Sequence, residues 1–237
     1  MKIYVGTSGY AYKEWKVKFY PENIVAKKML NFYSERLSTV EINNTFYRMP
    51  TESTLMSWAQ QVPDDFIFAL KAPQIITHIK RLKNVSTETD YLFRTLTTLD
   101  RKLGPTLFQF PASFRANRVA LADFLDLIPD KMLCAFEFRN PSWLEADTLS
   151  LLRERQHSLC IADSDDNPAN EIIETAKWGY IRLRRSDYTN ADLSQWKEKI
   201  LAHSWETAFV FFKHEQDARG PEMAMHFGEL IVQETDV

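Results

Sequence analysis

Eight short runs of apolar or alternating residues, each bounded by Gly, Pro, Asn or Asp, recur along the chain: "KIYVG", "TVEIN", "FIFALK", "TLFQF", "LCAFEF", "LCIAD", "GYIRLR" and "AFVFFK". The intervals between them hold segments with apolar residues near helical spacing, among them "AKKMLNFYSERL", "LMSWAQQ", "TETDYLFRTLTTLDRKL", "RVALADFLDLI", "LEADTLSLLRERQ", "NADLSQWKEKILAH" and "PEMAMHFGELIVQ". Thr51 or Ser53, and Asn190, stand where helix caps belong. Strand then helix, repeated, implies parallel strands, because a parallel pair needs a long crossover. The expectation is an α/β fold, a TIM-like (β/α)8 barrel, with a doubly wound open sheet as the alternative. No linker-like or low-complexity stretch divides the 237 residues, so one domain over 1–237 is expected.

In either architecture, ligands sit at the C-terminal ends of the strands. Three strands end in polar residues two apart, hence on one face: Glu41 with Asn43, Glu137 with Arg139, and Arg182 with Arg184. Their neighbours Ile42, Phe138 and Leu183 then face the helices, which turns the polar residues toward the barrel axis. The other strand ends add Lys71, Gln109, Asp163 and Lys213. The resulting ring holds five bases against three acids. Buried charge without a partner is costly, so a cationic excess calls for an anion. At any single position, an ion pair that merely plugs the mouth competes with this reading.

The loop "GTSGYAYKEW" adds Thr7, Ser8 and Gly9, whose hydroxyls and backbone amides are suited to a phosphate or carboxylate, although a tight turn explains the same residues. The aromatics Tyr10, Tyr12, Trp15, Phe46, Tyr47 and Trp143 follow strand ends, where they either stack on a base or sugar ring or roof the barrel. Roofing is the favoured reading for Trp15 and Trp143. Glu41 and Glu137 have the chemistry of an acid/base pair. Lys71 or Lys213 can form a Schiff base, unless a carboxylate claims it.

Other chemistries find less support. The five histidines show no HxH or HExxH spacing, so no metal is expected. No motif calls for a cofactor, and no GxSxG elbow surrounds Ser8. The net charge of -3 gives no global signature of nucleic-acid binding and leaves only a local basic patch to serve it. Cys134 and Cys160 lie in apolar runs without a CxxC pair; with no signal-peptide pattern and no membrane-length apolar run, a cytoplasmic location without membrane insertion is expected.

Taken in order, "GTSGYAYKEWKVKFYP", "VEINNTFYRMP", "KAPQIITHIKRL", "GPTLFQFPASF" and "FEFRNPSW" closely resemble the YecE-like family, also called domain of unknown function 72. The likeness covers most of the first 143 residues and continues more loosely through "YIRLRR". It implies a TIM-like barrel of no established reaction, similar in shape to endonuclease IV and sugar-phosphate isomerases, which is fold-level analogy. Carried over by position, it marks Gly6, Thr7, Ser8, Gly9, Tyr12, Trp15, Glu41, Asn43, Phe46, Tyr47, Lys71, Gln109, Pro111, Glu137, Arg139, Trp143, Asp163 and Arg182. The chain departs from the pattern at Tyr10, in "RLRRSDY" and in "FFKHEQDARGP", which sets Arg184, Arg185, Lys213 and His214 apart.

The functional expectation is a barrel that binds a phosphorylated or other anionic small molecule at its C-terminal face. Glu41, Glu137 and Lys71 are the candidate catalytic residues of a hydrolase or isomerase. Thr7, Ser8, Gly9, Tyr12, Asn43, Tyr47, Gln109, Arg139, Trp143, Asp163, Arg182, Arg184 and Lys213 are the candidate ligand contacts. A non-catalytic nucleic-acid binder and a metal-dependent phosphodiesterase are the alternatives.

Overall fold

The structure is a computed structural model that describes residues 1–169, 171–214 and 217–232. Its eight strands are β1 (Lys2–Ser8), β2 (Thr39–Ile42), β3 (Ile67–Lys71), β4 (Leu103–Phe110), β5 (Cys134–Phe138), β6 (Ser158–Asp163), β7 (Trp178–Leu183) and β8 (Thr207–Phe212). All are parallel and close in sequence order, β1 pairing with both β2 and β8. The closed ring decides for the barrel over the open sheet.

Among the described residues seven α-helices lie outside: α1 (Ala26–Ser34), α2 (Glu52–Ala59), α3 (Ser86–Leu96), α4 (Arg118–Leu125), α5 (Ala146–Glu154), α6 (Asn190–Leu201) and α7 (Arg219–Val232). Thr51 caps α2 by accepting from the Thr54 amide, as the sequence suggests. The cap of α6 is Thr189, one residue before the expected Asn190, and it forms a reciprocal capping box with Asp192. The helical pattern read through Leu103 stops early: Asp100 has φ 48, which breaks the last turn and releases Leu103 into β4. Gln233, the end of the expected last helix, lies outside the described residues.

The repeat is incomplete after β6, where the described residues of the crossover to β7 contain no helix. Instead Ser164 and Asn167 form an isolated bridge, while Ile172 and Ile173 pack on the core. The Thr175 hydroxyl accepts from the Leu159 amide at 2.7 Å and donates to the His157 carbonyl. "DNPANEIIETAK" offers no helical run of apolar residues, and its described residues are stitched as a loop to the start of β6.

Strand alternation separates two cores. Outward residues, among them Phe108, Phe110, Phe136 and Leu183, join the helices in one large cluster. Ala69, Leu107, Ala135, Tyr180, Phe209 and Phe211 form a second, within the barrel. Each buried Phe or Leu contributes roughly 2–3 kcal/mol by leaving water. The inner cluster fills the barrel from below, so polar side chains on the same face near the C-terminal ends sit on an apolar plug. One close approach requires glycine: a Cβ on Gly6 would lie 1.9 Å from the Thr39 carbonyl oxygen, so β1 and β2 could not meet as they do with any other residue at position 6.

Candidate functional site

Above the plug, Arg182 on β7 joins two strands across the barrel. Its guanidinium donates to Glu41 Oε1 on β2 at 2.9 Å and to Glu137 Oε2 on β5 at 2.5 Å, and all three side chains are at most 4% exposed. Tyr180, two residues before Arg182 and therefore on the same face, donates its hydroxyl to Glu41 Oε2 at 2.7 Å. The Asn43 amide donates to Glu41 Oε1 at 3.0 Å. On the other carboxylate, Arg139 Nε donates to Glu137 Oε1 at 3.2 Å, and Arg184 approaches the same oxygen at only 3.8 Å.

The charges follow from these contacts. Burial pushes the Glu137 carboxyl up, but Arg182, Arg139 and Arg184 outweigh it and hold its pKa at about 2. Glu41 is likewise held below the ordinary carboxylate range, because Arg182, the Tyr180 hydroxyl and the Asn43 amide overcome its burial. The neighbouring Ser8 hydroxyl adds to that lowering without meeting hydrogen-bond geometry. Burial works against the Arg182 charge, yet Glu41 and Glu137 raise its pKa further. Both carboxylates therefore stay ionised at neutral pH and have no proton to give.

Lys71 ends β3 on the same face. Its carbonyl accepts from the Thr45 hydroxyl at 2.7 Å, which fixes the turn after β2 and lays Phe46 beneath the amine, 4.3 Å from ring centroid to Nζ. It makes no ion pair with any described residue. Burial, and next the Arg182 charge, lower its pKa to about 8, with Glu41 and Glu137 pulling the other way without restoring it. His78 meets the same Phe46 ring edge-on at 4.8 Å. Burial, then Lys71, Arg139 and Arg81, lower the imidazole's pKa, which leaves it neutral at pH 7. Tyr47, 76% exposed, meets Phe46 edge-on at 5.1 Å.

Gln109 is adjacent to Glu137 in the β4–β5 register, and its buried side chain makes no hydrogen bond to a described residue. Alternation puts Lys213, one residue past β8, on the axis face beside Arg184. The structure thus brings together Ser8, Glu41, Asn43, Lys71, Gln109, Glu137, Arg139, Arg182, Arg184 and, by register, Lys213. Arg182 Nε and Arg184 Nε are buried and without a hydrogen-bond partner among the described residues.

Five sequence candidates lie elsewhere or at the margin. Asp163 faces the helices, where Oδ1 accepts from the Ala169 amide at 2.8 Å, Oδ2 accepts from the Tyr188 hydroxyl at 2.8 Å, and Arg185 pairs with both oxygens at 3.1 and 2.8 Å. Its loss from the ring leaves five bases against two acids. Thr7 also faces outward, with its amide donating to the Tyr33 hydroxyl at 2.8 Å and its own hydroxyl to the Gly9 carbonyl. The Gly9 amide is taken by the Glu41 carbonyl, and at φ 94 its missing Cβ leaves room for the Tyr12 ring. Tyr12 donates to the Ser8 carbonyl and packs on Trp15, so the loop is a closed turn whose Thr7 and Gly9 amides are already spent. Trp143, 0% exposed, stacks on Phe138 at 4.7 Å and donates its indole N–H to the Phe114 carbonyl, which leaves no face for a ligand.

Sequence reasoning missed Tyr180, Phe46 as the lysine's platform, His78 and Arg81. Tyr180 was legible from parity with Arg182. His78 was not, because a five-residue helical turn (Ile75–Ile79) folds it back onto Phe46. A groove of about 630 Å³ lies at the opposite end, between the start of β1 and the end of α7; its largely apolar lining, including Ile3, Val5 and Met225, shares nothing with the ring's chemistry.

A parallel eight-stranded barrel with an ionic ring at its C-terminal mouth is the class of protein these features define. Within that class, the profile described as "Protein of unknown function DUF72" matches residues 4–237, and the chain belongs to that family. It is 26% identical to the UPF0759 protein YecE of Escherichia coli (strain K12), over 93% of this chain and 89% of that protein. To the UPF0759 protein YunF of Bacillus subtilis (strain 168) it is 29% identical, over 67% and 60% of the two lengths. Among solved structures it resembles the DUF72 family protein TM1631 of Thermotoga maritima MSB8, with a TM-score of 0.86, 25% identity and coverage of 98% of this chain and 100% of that one. The fold is also that of EF0366 of Enterococcus faecalis V583, with a TM-score of 0.76, 20% identity and 98% coverage of each chain. No described helix is long and apolar enough to cross a membrane.

Proposed function

We propose that the C-terminal mouth binds a phosphorylated or other anionic small molecule, with Arg139, Arg184 and Lys71 as its cationic contacts. Arg184 is the observation that carries this reading. Its nearest described carboxylate oxygen, Glu137 Oε1, is 3.8 Å away and already accepts from Arg139, and its buried Nε has no hydrogen-bond partner among the described residues. A buried charged donor left unmatched costs about 1–3 kcal/mol or more, a cost an incoming oxyanion removes. Gln109, Asn43 and Ser8 supply neutral contacts, and Tyr47 with Phe46 a ring to stack against.

In this reading Glu41 and Glu137 are fixed anions that hold Arg182, rather than proton donors. The group poised for proton transfer near neutral pH is Lys71, with neutral His78 beside it; this suits hydrolysis or isomerisation of the bound compound. The exposed Tyr47, which packs on the Phe46 ring that carries Lys71, also favours a second form of the ligand, the end of a nucleic-acid strand. The phosphodiesterase alternative finds no support in the ligand set, since no three described His, Cys, Asp or Glu side chains converge to hold a metal.

Calorimetric titration with inorganic pyrophosphate at low salt tests the proposal. The wild-type chain is expected to bind, and Arg184→Met to bind at least about tenfold more weakly, the loss of one charge-assisted contact, with an unchanged melting temperature. Absence of wild-type binding up to millimolar pyrophosphate overturns the reading. Tighter binding of a short oligonucleotide, with affinity falling steeply with salt, selects the nucleic-acid form.

A further inference from the structure

We infer that Lys71 captures carbonyl groups: its Nζ adds to the aldehyde or ketone carbon of an anionic substrate and forms an imine while Arg139 and Arg184 hold the anionic group. This rests on the anion-binding reading above and adds the substrate class, a phosphorylated or carboxylated carbonyl compound.

Three features of the site support it. First, the amine is held in place without being neutralised. The Thr45 hydroxyl anchors the Lys71 backbone and Phe46 lies under Nζ at 4.3 Å, yet no described carboxylate comes within ion-pair distance. Second, the acids that would otherwise claim it are already committed. Glu41 receives Arg182, Tyr180 and Asn43, and Glu137 receives Arg182 and Arg139. Third, burial and the Arg182 and Arg139 charges oppose the amine's proton more than the two carboxylates retain it, so a larger share of Lys71 than of an ordinary lysine is in the neutral, nucleophilic form near neutral pH. A lysine on the interior of a polar barrel mouth that merely plugged it would sit on one of those carboxylates.

The chemistry balances without an oxidant or reductant. The nitrogen lone pair forms the C–N bond as the carbonyl π pair moves to oxygen, which takes a proton while nitrogen loses one. The carbinolamine then breaks its C–O bond, the nitrogen lone pair closes the C=N bond, and the oxygen leaves as water after a second proton transfer. His78, held neutral and packed on the same Phe46 ring, is the nearby group suited to relay these protons.

Borohydride trapping tests the inference on the full chain. The protein is incubated with glyceraldehyde 3-phosphate, reduced with sodium borohydride and mapped by peptide mass. Lys71 is expected to be labelled about tenfold faster than any other lysine, a margin of about 1.4 kcal/mol, with glycerol 3-phosphate and inorganic phosphate slowing it and Lys71→Arg abolishing it. Labelling spread over surface lysines with Lys71 not ahead overturns the inference. So does equal labelling of Lys71 by unphosphorylated glyceraldehyde, which removes the role of the arginines. If glycerol 3-phosphate binds in a titration while glyceraldehyde 3-phosphate leaves Lys71 unlabelled, the imine is refuted and anion binding stands.

Discussion

Two buried acid–base clusters sit back to back near the end of β7, on opposite faces of the sheet. Outside, Asp163 meets Arg185 and the Tyr188 hydroxyl, one acid to one base, with both carboxylate oxygens occupied. Inside, Glu41 and Glu137 face Arg182, Arg139 and Arg184, and the buried Nε atoms of Arg182 and Arg184 have no hydrogen-bond partner among the described residues. Arg184 and Arg185 are consecutive residues that the strand pleat sends to different clusters. The difference teaches how to tell a structural ion pair from a site. Arg185 Nε, 2.8 Å from Asp163 Oδ2, also lacks a well-aligned hydrogen bond, so an unmatched Nε does not separate the clusters; the charge balance does, one acid to one base outside against two acids and three bases inside.

Removing Arg182 is expected to do the most damage to the inner cluster. Arg182→Met leaves two carboxylates buried without their shared partner and is expected to cost about 3–5 kcal/mol, read as a lowered urea midpoint or loss of soluble protein. A variant as stable as the wild type would show that Arg182 does not organise the mouth. Acid acts next. Because the folded pKa of Glu137 is about 2 against an ordinary 4.5, the stability it contributes is complete above about pH 5 and is lost as pH falls toward 2. That loss is about 3 kcal/mol in all, and denaturant curves at several pH values should show Glu137→Gln lacking this part of the slope. Asp163→Asn sharpens the contrast from the other side. It is expected to cost about 2 kcal/mol by weakening charge-assisted bonds while leaving pyrophosphate affinity untouched; a parallel fall in affinity would make the outer cluster part of the site after all.

Much of this was legible in the sequence because strand parity is a short-range property. The eight strands, and the inward turn of Glu41, Glu137, Arg139, Arg182 and Arg184, follow from apolar neighbours that must face the helices. Parity also held the answer for Asp163, which shares it with Leu159 and Ile161, both in the outer core; grouping it with the other strand ends overrode that signal. Trp143 and Lys71 were ambiguous for a different reason. Whether an aromatic after a strand turns inward or stacks on Phe138, and whether a lysine finds a carboxylate, depend on contacts between residues far apart in the chain. That the described residues between β6 and β7 form no helix was in plain view as a segment without apolar period, obscured by the regularity around it.

Arg182 also has a mechanical meaning. It ties β7 to β2 and β5, strands that are not its neighbours in the barrel, so the ring carries a cross-brace in addition to its hoop of backbone hydrogen bonds. A barrel braced in this way cannot widen at that level without snapping the strut. The floor of the mouth is therefore rigid, and freedom to move falls to side chains outside the brace, among them Lys71, Arg139, Tyr47 and His78.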